Sequence, residues 1–360
     1  MCGCTKVPSI LKAAAFCISL SLIPFFISCK KKSAIDNVAP PVVDTLKLNT
    51  NSIDTGYNTI GAAIVKEMYA AETQNIQFRY SEPLTLTSVH NAIISGISTS
   101  QITLVSCENI TIKHCQVSNG KRPGINVSKC TNIKIDSCYL SEVPTGISAE
   151  NSQTISVTNC QAKNMLGPFP EGQFVQFKNV SGAGNQVRFN KVENVLDKSY
   201  AEDAISMLKS NGLPLSPILI EGNWIRGGGP SHSGGGIMLG DGGGSYMVAK
   251  NNILVNPGEY GMAVSGGSNM SIVNNTIYGK AQSFTNVGLY YRNYSGLPSS
   301  NIFMGKNAVN FKNSENKLSN IYVFPADVIP AGWGTNIYNA QLFEGILPEN
   351  MVYEPLPSPQ

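Results

Sequence analysis

Ile110-Thr-Ile112-Lys-His-Cys115-Gln-Val117 recurs as Ile133-Lys-Ile135-Asp-Ser-Cys138-Tyr-Leu140 and again as Ile155-Ser-Val157-Thr-Asn-Cys160-Gln-Ala162. The copies begin 23 and 22 residues apart, and each is apolar at positions 1, 3, 6 and 8. Alternation of period two is strand patterning, and a fixed period near 22 marks a solenoid whose coils share one core. A shorter glycine-led run precedes the second and third copies, Gly124-Ile-Asn-Val127 and Gly146-Ile-Ser-Ala149.

Working outward, further copies start at Val187, Ile218, Met247, Met270 and Ile302, with a weaker one at Thr87. Their sixth position reads Ala92, Cys115, Cys138, Cys160, Val192, Asn223, Asn252, Asn275, Asn307. Asparagines stacked at one coil position imply an inward amide ladder, which makes them structural. The glycine-led strand returns at Asp203–Met207, Gly236–Leu239, Gly261–Val264 and Gly288–Tyr291. Two short strands per coil define an all-β chain, a right-handed parallel β-helix of about nine to ten coils over residues 85–325.

The flanks differ. Residues 1–28 pair Lys6 and Lys12 with an apolar stretch of signal-peptide length, Ala13–Ile27. Phe26-Ile-Ser-Cys29 resembles a bacterial lipobox with Phe26 where Leu is usual. That resemblance implies cleavage before Cys29 and lipidation of its thiol, hence an exported protein anchored in the cell envelope. The outer membrane is the expected site, on its periplasmic or surface side. Residues 29–60, with Lys30-Lys31-Lys32, read as a flexible tether, and 61–84 as a cap containing a short helix. Residues 326–360 read as a C-terminal cap in which Trp333, Phe343 and Tyr353 bury against the last coil.

Charged residues make up only 14% of the chain and the net charge is +3, so no basic face points to nucleic acid. Of nine cysteines, five lie in the repeats. Stacked in line, they cannot converge on zinc, and they read as buried thiols.

The repeat resembles the parallel β-helix superfamily that includes pectate lyases, polygalacturonases and many bacterial polysaccharide lyases. Ala201-Glu202-Asp203-Ala204-Ile205 resembles the Asp-Asp step that opens a polygalacturonase strand, with Glu202 for the first acid. Ser231-His232-Ser233-Gly234 is loosely similar to that family's Gly-His-Gly turn, and Arg292 echoes its Arg-x-Lys. Gly172–Phe177 lacks the family's Asn-Thr-Asp step. Such a resemblance implies a monomer that binds and cleaves a polysaccharide, by elimination or hydrolysis, in a groove along the glycine-led strands.

Coils lengthen between 195 and 295, where ionisable residues flank successive glycine-led strands. Asp203, Asp241, Glu259, His232 and Arg226 are the candidate catalytic residues. Paired carboxylates suit glycoside hydrolysis, and an Arg–base pair suits elimination beside a uronate. Glu202, Lys209, Tyr246, Tyr260, Tyr291 and Arg292 are the candidate substrate contacts, and Asp241 suits a calcium ligand as well as an acid. The competing readings are a non-catalytic glycan-binding lipoprotein and a structural envelope protein.

Overall fold

The computed structural model describes residues 78–326 and 328–353. Cys29, the leader, the tether and residues 61–77 of the expected cap lie outside the described residues. Arg79–Tyr80 and Leu84–Thr87, at the C-terminal side of that cap, are already strands.

The described chain winds as a right-handed parallel β-helix with three sheets. Sheet I has ten strands and holds the glycine-led runs, such as Ile125–Ser128 and Ile147–Glu150. Sheet II has nine, among them Glu108–Lys113, Thr131–Asp136 and Gln153–Thr158. Sheet III has eleven, including Gln116–Ser118, Tyr139–Ser141 and Gln161–Lys163. Each coil thus carries three strands rather than two, because the eight-residue repeat bends in its middle. Its fifth residue turns the corner in the left-handed region, with φ of 48° at His114, 52° at Ser137 and 54° at Asn159. One such residue redirects the chain without a loop.

Parallel pairing in register places Ile110 on Ile133 and Ile133 on Ile155, so like residues stack into columns. The inward columns are fully buried and form one core along the described coils. Cys115, Cys138 and Cys160 fill the corner column as free, buried thiols, and Cys107 and Cys130 fill a second one.

Past Cys160 the corner column changes to asparagine. Asn190 Nδ2 donates to Asn223 Oδ1, Asn223 to Asn252, Asn252 to Asn275, Asn275 to Asn307 and Asn307 to Asn336, each at 2.9 Å. Each Oδ1 also takes a backbone N–H, as Asn252 Oδ1 takes that of Asn223 at 3.0 Å. The expected register slips in two coils. Val187 pairs with Val157, so that copy begins at Asn185 and its ladder residue is Asn190, not Val192. Ala92 pairs with Ile110, so the first copy begins at Ala92 rather than Thr87.

Of the three aromatics expected to cap the last coil, Trp333 packs against the core and the other two do not. Phe343 and Tyr353 are exposed and Trp333 is half-buried. Instead Leu347, Met351 and Val352 bury against Tyr139, Trp224 and Val255 on the outer face of sheet III.

Candidate functional site

The outer face of sheet I carries the acids. Ile205–Leu208, Ile237–Asp241, Tyr260–Val264 and Val287–Arg292 are four successive strands of this sheet. Ile205, Ile237, Met262 and Leu289 align inward, so Ser206, Met238, Ala263 and Tyr290 align outward. Asp203 stands two residues before its strand. Extended by two residues, the same register sets it beside Gly235 and then Tyr260.

Asp203 is only 9% exposed. Its Oδ1 accepts the Gly235 N–H at 3.1 Å and the Tyr260 hydroxyl. Tyr260 reaches it from two coils away because Gly235 lies between them. A Cβ there would stand 2.7 Å from the Tyr260 ring. Burial is the largest effect on Asp203 and pushes its pKa up to about 7. The two hydrogen bonds oppose that rise, while the charges of Glu202 and Asp241 add to it.

The neighbouring carboxyls belong to the same electrostatic cluster. Burial raises Glu259, against a 3.2 Å hydrogen bond from Asn286 Nδ2 and the charge of His232, and Glu202 raises it further. Burial also raises Asp241, opposed by the Gly242 N–H and by Lys209. Glu202 is 6% exposed and accepts the Ser233 hydroxyl at 3.0 Å. Among the described residues no three His, Cys, Asp or Glu side chains converge to hold a metal ion.

The other candidates are distributed differently. His232 is exposed on the loop before Ile237. Lys209 and Asp241 sit together at the far end of the strands, where Lys209 N–H donates to the Asp241 carbonyl at 2.8 Å. Arg292 lies near that end, with its guanidinium 4.4 Å from the Tyr294 ring and 4.8 Å from that of Phe324. Tyr246 is half-buried at the start of a sheet II strand.

Three further candidates are not exposed on the outer face of sheet I. Arg226 belongs to sheet III, where its Nη1 donates to the carbonyls of Glu344 at 2.9 Å and Leu347 at 3.2 Å. Its Nη2 pairs with Glu349 at 3.1 Å, so it anchors the C-terminal segment. Tyr291 alternates inward into the core, and its neighbour Tyr290 is the one that faces out. Tyr260 is 1% exposed, and burial holds its hydroxyl well above the usual tyrosine range, so it positions Asp203 rather than meeting substrate.

Two aromatic residues that the sequence did not single out stand beside the acids. A pocket of about 270 Å³ opens between Pro168, Phe169, Tyr200, Glu202, Pro230 and Ser231. Phe169 is 71% exposed and Tyr200 56%. Neither lies on a repeat strand, so periodicity gave no sign of them; the signal was the lengthening of the loops that carry them. A depression of about 360 Å³ between Ser100, Gln101 and Asn119–Arg122 has neither a carboxylate nor an aromatic ring.

Fold and site together define a right-handed parallel β-helix with clustered carboxyls on one sheet. A family model described as right handed beta helix region matches residues 74–244. No curated protein matches the chain in sequence. Among solved structures, a surface adhesin of Streptococcus pneumoniae is 10% identical at a TM-score of 0.29, over 71% of this chain and 80% of that one. A mannuronic acid specific polysaccharide family 6 lyase from human gut microbiota is 10% identical at 0.26, over 76% and 82%. The A-module of an Azotobacter vinelandii mannuronan C-5 epimerase is 13% identical at 0.22, over 79% and 91%. Likeness this distant carries no inference about activity.

Proposed function

We infer that this chain binds a glycan along the outer face of sheet I and hydrolyses it, with Asp203 as the group that transfers the proton. The observation that carries this reading is the state of Asp203. With its pKa near 7, it exists in both protonation forms at neutral pH, the condition a general acid or base needs. Glu259, two coils further along the stack and one residue before the position in register with Asp203, is the second carboxyl of the pair that glycoside hydrolysis requires.

Hydrolysis is favoured over elimination by charge. Elimination beside a uronate needs a cation on the substrate carboxylate and a base to take the proton. Here Arg226 is engaged on sheet III and Tyr260 is buried and protonated. Glu202, Asp203 and Glu259 cluster before the strands, while Asp241 lies with Lys209 and Arg292 at their far end. Incubation of the full chain with a polysaccharide panel is expected to release reducing ends without the ultraviolet absorbance of unsaturated uronates. Asp203→Asn should abolish the release while the fold is kept. Absorbance appearing with the reducing ends would overturn the hydrolytic reading.

The protein is exported and tethered by lipid at Cys29, a reading supported by the leader and its lipobox-like end. Cys29→Ser should move the protein from the membrane fraction to the soluble fraction of the producing cells. Unchanged membrane retention would argue against the anchor.

A further inference from the structure

The pocket beside Asp203 is a built feature of three stacked loops. Residues 167–172 lie directly on residues 200–202. Gly172, at φ 117°, permits this, because a Cβ there would stand 2.6 Å from the Glu202 nitrogen. Ala201 in turn bridges to Gly229 and Pro230 of the next coil's loop. Backbone contact thus fixes Phe169 and Tyr200 at the rim with their rings in solvent, where two aromatic faces beside a pocket suit ligand contact. Glu202 lies below them. Its Oε2 accepts the Ser233 hydroxyl, and its other oxygen accepts no hydrogen bond among the described residues. A buried carboxylate with one neutral donor has capacity for another.

We propose that this pocket is a sugar subsite that holds a neutral pyranose, with a ring face on Phe169 or Tyr200 and a hydroxyl donating to Glu202, and that it rejects uronates. The inference rests on the reading of this face as a glycan site. Aromatic faces pack the C–H face of a pyranose, and the edge of the ring then presents hydroxyl donors to an acceptor below. A uronate carboxylate at the same place would meet Glu202, with Asp203 and Glu259 close by, and no cation of the described residues lines the pocket.

The test is binding by the full chain carrying Asp203→Asn, so that no glycan is consumed, to neutral and uronate-containing oligosaccharides of matched length. Neutral oligosaccharides are expected to bind and uronate ones not. Phe169→Ala and Tyr200→Ala should each weaken binding about fivefold to tenfold, and Glu202→Gln should weaken it while admitting uronates. Both aromatic residues are exposed, so their variants should melt as the parent does. Preference for uronates, no binding of any neutral oligosaccharide, or neutral binding untouched by all three variants overturns the subsite. Binding that behaves as described in a protein that cleaves nothing would instead retain the subsite and sink the hydrolytic reading.

Discussion

Asp203, the proposed proton-transfer group, carries a cost to the fold. An aspartate in the unfolded chain titrates at ~3.9, while burial holds this one near 7. Below pH ~4 both states bind the proton and the stability contribution is fully present. As pH rises from ~4 to about 7, the unfolded chain releases its proton first and the folded chain loses relative stability. Above about 7 the loss is complete. Asp241 and Glu259 are raised too and add slope of the same sign. In thermal melts Asp203→Asn should therefore flatten the decline between pH 4 and 7, gaining most over the parent at pH 8. Parallel curves for variant and parent would refute the buried, proton-binding aspartate. This acid was legible in the sequence because it stands beside a recognisable strand. Tyr290 was not, since a shift of one residue along a strand exchanges inside for outside, and Tyr291 takes the inward place. Arg226 escaped for another reason: its partners are 118 to 123 residues away in sequence, beyond any local pattern.

At the scale of the element, the coil corner decides how the sequence is read. A left-handed residue followed by an inward thiol or amide turns sheet II into sheet III, and the repeat spelled this out three times in a row. Where longer connections at 164–174 and 179–184 pushed the next copy out of spacing, periodicity fixed the wrong start and missed Asn190. The amide column itself should be sensitive to interruption. Asn252→Ala removes the acceptor for two buried donors, the Asn223 backbone N–H and side-chain amide. It also frees Asn275 Oδ1 and the Ile220 carbonyl of a donor. Stranding these groups should cost on the order of 3 kcal/mol or more, read as a lower denaturant midpoint. A loss below about 1 kcal/mol would mean that the column is dispensable.

For the described coils as a whole, stability is transmitted along one dimension. A solenoid coil touches only its neighbours, so openings start at an end and propagate inward. The C-terminal segment adds contacts that skip coils. Residues 344–353 touch six consecutive strands of sheet III. Tyr278 and Val255 pack with them, Arg226 holds Glu344, and Glu193 Oε1 accepts the Asn350 N–H at 2.7 Å. Gln161 Oε1 accepts the Tyr353 N–H at 3.2 Å, and Tyr139 closes the apolar contact. These are the coils whose other face carries Asp203, Asp241 and Glu259, so the segment clamps the site from behind. A chain ending at Phe343 would expose Trp224 and Val255 and strip the Arg226 guanidinium of its carbonyl and carboxylate partners. Its melting temperature should fall by about 5 °C or more. Hydrogen exchange should quicken at Tyr139–Ser141 and Gln161–Lys163, which lie far from the new terminus in sequence and next to the clamp in space. If exchange quickened only in the last coils, the segment would be an ordinary end cap, and the six-coil clamp would be refuted.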